Sequence, residues 1–444
     1  MSGNVEESER IVVDKPPVKI GLLGCGTVGG GVLRLLQQKE SAWVARVGAP
    51  LEVTRVVVRD LDKGRVPECR PEWLTTDYEA LFGADVELIV EVMGGEEPAK
   101  SLISRALSVG KSVVTANKLL IAKHGPELLN TASRHGVDLA FEASVGGGIP
   151  VIRTLREALA SDSVLTLHAI LNGTSNYILT RMRDDRLSFE AALAEAQARG
   201  YAEADPTLDV DGHDAAQKLV VASLLAFGAQ ISESTVSVEG IRGIDQIDFA
   251  AAERFGYAIK HLAIGHELGG SVRLRAHPTF VPKHSVLASI DGVLNGVLIT
   301  GEALGPCFLV GRGAGDMPTA VSVVSDILDL ARSMREGEPG RQTRAIQFKE
   351  RPLASLDELS TRYYLRFDVA DRPGVLSFIA GALGDHGVSI EQMFQQGQAG
   401  DTENEVHVLL ITHTCREAAV QKAILAIQAG PFLKSKPRLI RVEA

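Results

Sequence analysis

Residues 200–219, GYAEADPTLDVDGHDAAQKL, place the carboxylates Glu203, Asp205, Asp209, Asp211 and Asp214 ahead of a single cation, Lys218. Asp214 and Lys218 stand four apart on a predicted helix, so they project from one face. Two readings of that pair are open. It is an exposed salt bridge contributing about 0.3–0.5 kcal/mol, or it is where a substrate is held and a proton moved. A lysine does the latter when burial or a neighbouring charge adjusts its pKa. Asp205 and Asp211 read as turn formers, Asp205 with Pro206 directly behind it.

A second stretch points to a phosphate-bearing ligand. In GLLGCGTVGGG, Gly24, Gly26 and Gly29 give G-x-G-x-x-G between a predicted strand and a predicted helix. Glycines let the backbone turn tightly and approach a pyrophosphate, and the helix start offers free N–H groups with partial positive charge. Thr27 and Val28 sit at that helix start and flank the same pyrophosphate. The next strand ends in VVVRDLDKG. An acid there binds the adenosine ribose hydroxyls, whereas an arginine pairs with a 2′-phosphate. Arg59 and Asp60 supply one of each; Arg59, helped by Lys63, tilts the reading toward NADPH over NADH.

The elements that must position these residues fall into three blocks. Strand-like runs at 18–24, 51–58, 86–92, 111–116 and 137–143 alternate with helix-like segments. That rhythm predicts an α/β, Rossmann-type doubly wound parallel sheet. After residue 150 it changes to a helix (149–160), a strand (164–171), a turn at Asn172 and Gly173, long helices to 228, and less regular strands, as in a separate α+β domain. Residues 311–334 are a glycine-rich turn and an amphipathic helix. A charged, proline-bearing linker follows, and then strand, helix, strand, strand, helix and strand. This last order predicts a small ferredoxin-like domain.

Composition narrows the function classes. A formal charge of −10 argues against nucleic acid or an anionic membrane as the main partner. Cys25, Cys69, Cys307 and Cys415 are scattered without C-x-x-C spacing, which fits neither a disulfide scaffold nor a cysteine zinc site. No His or Cys cluster suggests a transition metal. The polar N-terminal tail lacks a signal-peptide core and no stretch is long enough to span a bilayer, so a cytoplasmic location is expected.

Several stretches, GLLGCGTVGGG, EVMGG, KSVVTANK, FEASVGGGIPVI, LNGTSNYIL and GYAEADPTLDVDGHDAAQK, resemble the homoserine dehydrogenase family over residues 18–335. Those enzymes interconvert aspartate semialdehyde and homoserine. YYLRFDVADRPGVLSFIAGAL is similar to an ACT regulatory domain. The resemblance implies that Lys218 moves the proton on the substrate hydroxyl, Asp214 orients the substrate and Glu203 binds its ammonium. Tyr201, Asp209, Asn172 and Thr174 match positions near the substrate, and Lys118 one at both cofactor and substrate. Gly315, opening a second helix, matches a cofactor contact. Main-chain oxygens of Glu142, Val145, Gly147 and Ile149 match a monovalent cation site, usually sodium. The loop with Asp371, Pro373 and Gly374 matches an amino-acid effector site, threonine being the expected ligand.

The resulting expectation is a polar tail (1–17), a dinucleotide-binding domain (18–150, with a returning helix at 311–335), a catalytic and dimerisation domain (151–310), a linker (336–358) and an ACT domain (359–444). A homo-oligomer, a dimer or larger, is expected. Rival enzymes lack their motifs: a 2-hydroxyacid dehydrogenase needs a His–acid pair with a substrate-binding Arg, and aspartate semialdehyde dehydrogenase a nucleophilic cysteine. A non-catalytic amino-acid sensor that keeps the cofactor fold is the alternative from another class. The intact Asp214 and Lys218 count against it.

Overall fold

The computed structural model describes residues 15–397 and 405–443, so most of the expected polar tail lies outside the described residues. Its chain divides into two units, residues 1–161 with 311–349 and residues 162–310 with 350–444.

In the first unit, VKIGLL forms β1 (Val18–Leu23), nearly all of it buried, as expected of a strand covered on both faces. With β2 (Leu51–Val57), β3 (Leu74–Thr75), β4 (Leu88–Glu91), β5 (Ser112–Thr115) and β6 (Leu139–Ala140) it builds a sheet of order β3-β2-β1-β4-β5-β6. The printed pairings are parallel. That is the doubly wound order, with its ligand crevice beyond the carboxyl ends of β1 and β4. Helices Thr27–Gln38 and Asp316–Glu336 share a core with this sheet, including Val32, Leu36, Val323 and Ile327. They approach closely because Gly31 has no side chain: a Cβ there would lie 2.9 Å from the Asp316 carbonyl oxygen.

The helix expected over 149–160 is present as one α-helical turn, Val151–Arg153, continued by a π-helical stretch, Thr154–Ala158. Thr154 Oγ1 donates to the Pro150 carbonyl at 2.6 Å, and the Leu159 amide reaches back to the Thr154 carbonyl at 2.9 Å. The Pro150 carbonyl also keeps the Thr154 amide, at 3.1 Å. Residues 340–343 are fastened to the end of β6. The Asp138 carboxylate accepts from the Gly340 and Thr343 amides at 2.8 and 2.9 Å.

The second unit is organised on one long sheet. Strands Leu294–Gly301, Val164–Ile170, Tyr257–Glu267 and Val272–Pro282 pair antiparallel with one another in that order, and helix His213–Ala226 packs on the last two. The C-terminal segment has the expected β-α-β-β-α-β order: Ser360–Ala370, Val375–Asp385, Ile390–Gly397, Glu405–Thr412, Glu417–Gln428 and Arg438–Val442. Its sheet does not stand apart. Arg438–Val442 pairs parallel with Val272–Pro282 through Thr279 with Arg441 and Phe280 with Val442, so both sheets are continuous. Behind the junction, the fully buried Asp248 accepts from Tyr364 Oη at 2.9 Å and Arg366 Nη1 at 3.1 Å.

Candidate functional site

The glycine loop leaves β1 and enters helix Thr27–Gln38, and each motif glycine has a separate reason to lack a side chain. Gly24 has φ of 100°, and a Cβ there would lie 2.8 Å from the Met93 amide nitrogen. Gly29 lies against Gly24, whose carbonyl oxygen would be 2.5 Å from an added Cβ. Around the Cβ position of Gly26 nothing lies within 4 Å. The first two therefore shape the turn, and the third keeps open the approach to the helix start, where no side chain caps the amides. Thr27 is exposed and Val28 half-buried at that start.

A cavity of about 250 Å³ opens here, lined among others by Gly24, Gly26, Arg59, Asp60, Lys63 and Arg65. Arg59 and Asp60 are exposed. One Asp60 carboxylate oxygen accepts the Asp62 amide at 2.9 Å, a local turn. Arg65, which no motif nominates, braces the loop by donating to the Leu61, Lys63 and Asp60 carbonyls, the first two at 3.2 and 2.6 Å. Gly315 precedes helix Asp316–Glu336 with φ of 123°. An open glycine cradle at an uncapped helix start, with cations beside it, fits a dinucleotide.

Glu91, also not singled out from sequence, shapes the neighbouring turn. It ends β4 fully buried and accepts from Thr115 Oγ1 at 2.5 Å and from the Met93 and Gly94 amides at 2.9 and 3.0 Å. Burial nonetheless lifts its pKa. An acid at the end of an apolar run before a Gly-Gly turn was the available signal. Lys118 is half-buried, first in helix Lys118–His135, whose cap Asn117 accepts from the Leu120 amide at 3.1 Å.

Glu142, Val145, Gly147 and Ile149 are all buried on one turn between β6 and Val151. Their main-chain oxygens are hard donors of the kind a cation takes. Three already accept one hydrogen bond each: Glu142 from the Val145 amide (3.3 Å), Gly147 from Ser322 Oγ (2.6 Å) and Ile149 from the Val151 amide (2.8 Å). A second lone pair remains on each. The Glu142 side chain is turned elsewhere, to the Ile152 and Arg153 amides at 2.9 and 2.7 Å. Burial, with Asp326 nearby, pushes its pKa up to about 7.

In the second unit the side chains converge. Strand Val164–Ile170 runs into Leu171 and then Asn172, which caps helix Gly173–Asp185 by accepting the Ser175 amide at 2.7 Å. The Asn172 amide group donates to Asp209 Oδ1 at 2.7 Å and Asp214 Oδ2 at 2.8 Å. Lys218 Nζ donates to the same Asp214 oxygen and to the Leu171 carbonyl, each at 2.7 Å. Side-chain exposures of 13% for Lys218 and 9% for Asp214 exclude the solvated surface pair. Burial raises the Asp209 pKa, with the Asp214 charge adding to the effect and Asn172 opposing it.

Thr174 Oγ1 donates to the Tyr201 carbonyl at 2.7 Å, joining that loop to the helix start. Tyr201 and Glu203 are exposed on the loop. Asp205 accepts the Thr207 amide at 3.1 Å, as a turn former does. Asp211 sits in the turn before Gly212, as expected, and its carboxylate in addition pairs with Arg242 at 2.6 Å. Gly212 then starts the Lys218 helix with φ of 89°, at a point where a Cβ would lie 2.9 Å from His261 Nε2. In the C-terminal sheet, Asp371, Pro373 and Gly374 are exposed and line a cavity of about 160 Å³ before helix Val375–Asp385.

Comparison with known proteins bears on what this arrangement does. A family model described as homoserine dehydrogenase matches residues 150–328, and one described as homoserine dehydrogenase, NAD binding domain, matches 24–142. An ACT domain model matches 363–429. The chain is 42% identical to a homoserine dehydrogenase of Synechocystis sp. over 96% of its own length and 99% of the relative's. A solved homoserine dehydrogenase from Thiobacillus denitrificans superposes with a TM-score of 0.89 at 40% identity, covering 96% of this chain and 98% of that one. A hyperthermophilic archaeal homoserine dehydrogenase, solved in complex with NADPH, matches with a TM-score of 0.59 at 25% identity, covering 70% of this chain and 97% of that one.

Proposed function

Since the chain belongs to the homoserine dehydrogenase family and is an oxidoreductase with a nicotinamide-binding domain, we propose that Lys218 and Asp214 carry its proton-transfer step. The buried Asp214–Lys218 pair, anchored by Asn172 and the Leu171 carbonyl, is the observation that supports this reading. The substrate pair is L-aspartate 4-semialdehyde and L-homoserine. When bound, the nicotinamide supplies or accepts the hydride at the substrate carbon that carries the oxygen.

As the aldehyde is reduced, its oxygen gains negative charge and requires a proton. Lys218 brings three N–H donors on one ammonium. Asp214 and the Leu171 carbonyl take one each, and the remaining one addresses the substrate oxygen. After donation, the amine stays aligned by the Asp214 carboxylate; in the oxidative direction it accepts the hydroxyl proton. Glu203 binds the substrate ammonium by a charge-assisted contact. Asp209, Asn172, Thr174 and Tyr201 hold the loop that presents it, and Lys118 is assigned a role in binding.

The dinucleotide lies on Gly24, Gly26, Thr27, Val28 and Gly29, with Gly315 at the neighbouring helix start. Arg59 meets a 2′-phosphate, so NADPH is preferred; the cations around the cavity and the turn made by Asp60 support this. A monovalent cation, sodium in the first instance, is held by main-chain oxygens of Glu142, Val145, Gly147 and Ile149. Threonine binds at Asp371, Pro373 and Gly374 and acts as feedback inhibitor. It must bind the less active state more tightly, because equal affinity shifts nothing. The enzyme works as a cytoplasmic homo-oligomer, with the dinucleotide, catalytic and ACT domains bounded as the sequence suggests.

The decisive test is Lys218→Ala. We expect kcat to fall by about 10²–10⁴-fold, the usual contribution of a positioned acid–base group, with far-UV circular dichroism unchanged. Near-normal turnover by the folded variant removes the role. Initial rates with NADH and with NADPH, each with and without threonine, test the cofactor preference and the inhibition.

A further inference from the structure

We propose that His168, His266 and Glu443 form a binding site for a divalent transition metal ion of the zinc class, which clips the end of the ACT domain's last strand onto the catalytic sheet. Among the described residues these three offer one ligand atom each, all within 4.8 Å of one another. They come from three distant segments: strand Val164–Ile170, strand Tyr257–Glu267 and the residue just after strand Arg438–Val442.

The sheet register brings the imidazoles together. His168 pairs with Ile264, and His266 lies two residues further along the same strand, so both rings project from one face. Their centroids are 5.3 Å apart at an interplanar angle of 62°. His266 Nε2 is buried without a hydrogen-bond partner. A buried polar atom left in that state calls for an explanation such as an ion. His168 Nε2 faces Glu443 Oε2 at 3.3 Å.

The surroundings suit a ligand set of two imidazoles and a carboxylate. Arg275 donates to the other oxygen, Oε1 of Glu443, and its Nε donates to His277 Nε2 at 3.1 Å. It thereby orients the carboxylate from behind, as outer partners of metal ligands do, and leaves Oε2 to the histidines. The Arg275 charge opposes a dication, which points to an exchangeable ion rather than a permanently held one. Glu443 is fixed to the sheet by its amide, which donates to the Phe280 carbonyl at 3.0 Å. An ion at its side chain would therefore tie the end of the C-terminal strand to the two histidine strands.

The test uses full-length protein stripped with a chelator and titrated with Co²⁺, read by the visible d–d band of low-symmetry nitrogen–oxygen coordination. The proposal expects a band saturating at one ion per chain, displaced by Zn²⁺, and a Zn²⁺-dependent rise in Tm. His266→Ala and His168→Gln should each weaken binding by at least about tenfold and abolish the Tm rise, without loss of circular dichroism. Because removing Glu443 leaves Arg275 buried beside no carboxylate, the histidine variants are the informative ones. His168, partly exposed, serves if His266→Ala does not fold. Absence of a stoichiometric band in the wild type overturns the proposal, as does a band and Tm rise that persist in the folded variants. In either case the cluster is a hydrogen-bonded clasp only.

Discussion

The two candidate sites of this chain are built on opposite principles. In the cofactor-binding unit the work falls to the backbone: glycines remove side chains so that amides and a helix start can face a phosphate. In the catalytic unit it falls to side chains, with Asn172 holding Asp209 and Asp214 while Asp214 and a carbonyl hold Lys218. A backbone cradle is set by local conformation and shows in a short motif. A side-chain network depends on which segments meet, so single residues in it bear more of the function. Loss in the first should appear as weaker cofactor binding or a strained fold, and loss in the second as slower chemistry.

Substitutions at matched positions sharpen or break that contrast. Beyond Lys218→Ala, the largest effect is expected for Asn172→Ala, which removes a helix cap worth about 1 kcal/mol and takes one hydrogen bond from each aspartate. Misplacement of the proton-carrying pair should lower kcat on the order of 10²-fold, with the cofactor KM little changed in steady-state assays. If KM for the cofactor moved and kcat did not, the division between the units would fail. Gly29→Ala comes next. Its methyl meets the Gly24 carbonyl oxygen, and overpacking of this kind costs about 1–3 kcal/mol, seen as a lowered thermal midpoint with a raised cofactor KM. Gly26→Ala, where nothing stands within 4 Å, should raise that KM while leaving the midpoint in place. Equal melting of the two variants would show that the cradle's shape does not depend on Gly29. The smallest change is expected from Arg59→Ala, which should lower the NADPH-to-NADH ratio of kcat/KM by about tenfold, the loss of one charge-assisted contact. An unchanged ratio would move phosphate recognition to Lys63 or Arg65.

The same contrast governs what was legible beforehand. Strand alternation and G-x-G-x-x-G announced the parallel sheet because both are local and periodic. The spacing of Asp214 and Lys218 placed them on one helix face but left burial undecided, since burial depends on the strands that helix His213–Ala226 covers. The Leu171 carbonyl carries no residue-type signal at all. The turn at Asp211 was legible, but its ion pair was not, because the partner, Arg242, lies on another loop. The helix expected at 149–160 is present over Val151–Ala158, but its widening from α to π has no residue-type signal. The β-α-β-β-α-β order of the C-terminal segment was visible, yet its fusion to the catalytic sheet was not. Register between Val272–Pro282 and Arg438–Val442 is a matter of long-range pairing, and neither strand's composition encodes its neighbour.

That shared sheet has a consequence for anyone who shortens the protein. Strand Val272–Pro282 is buried along almost its whole length, and Ser237–Val238 shields only Arg275 and Ala276 on the side where Arg438–Val442 lies. Cutting away the C-terminal segment would leave donors and acceptors unpaired around Thr279 and Phe280, a template on which another chain can add itself. The truncated enzyme would then fail by self-association, and an assay of such a fragment would report its solubility before it reported any relief from inhibition.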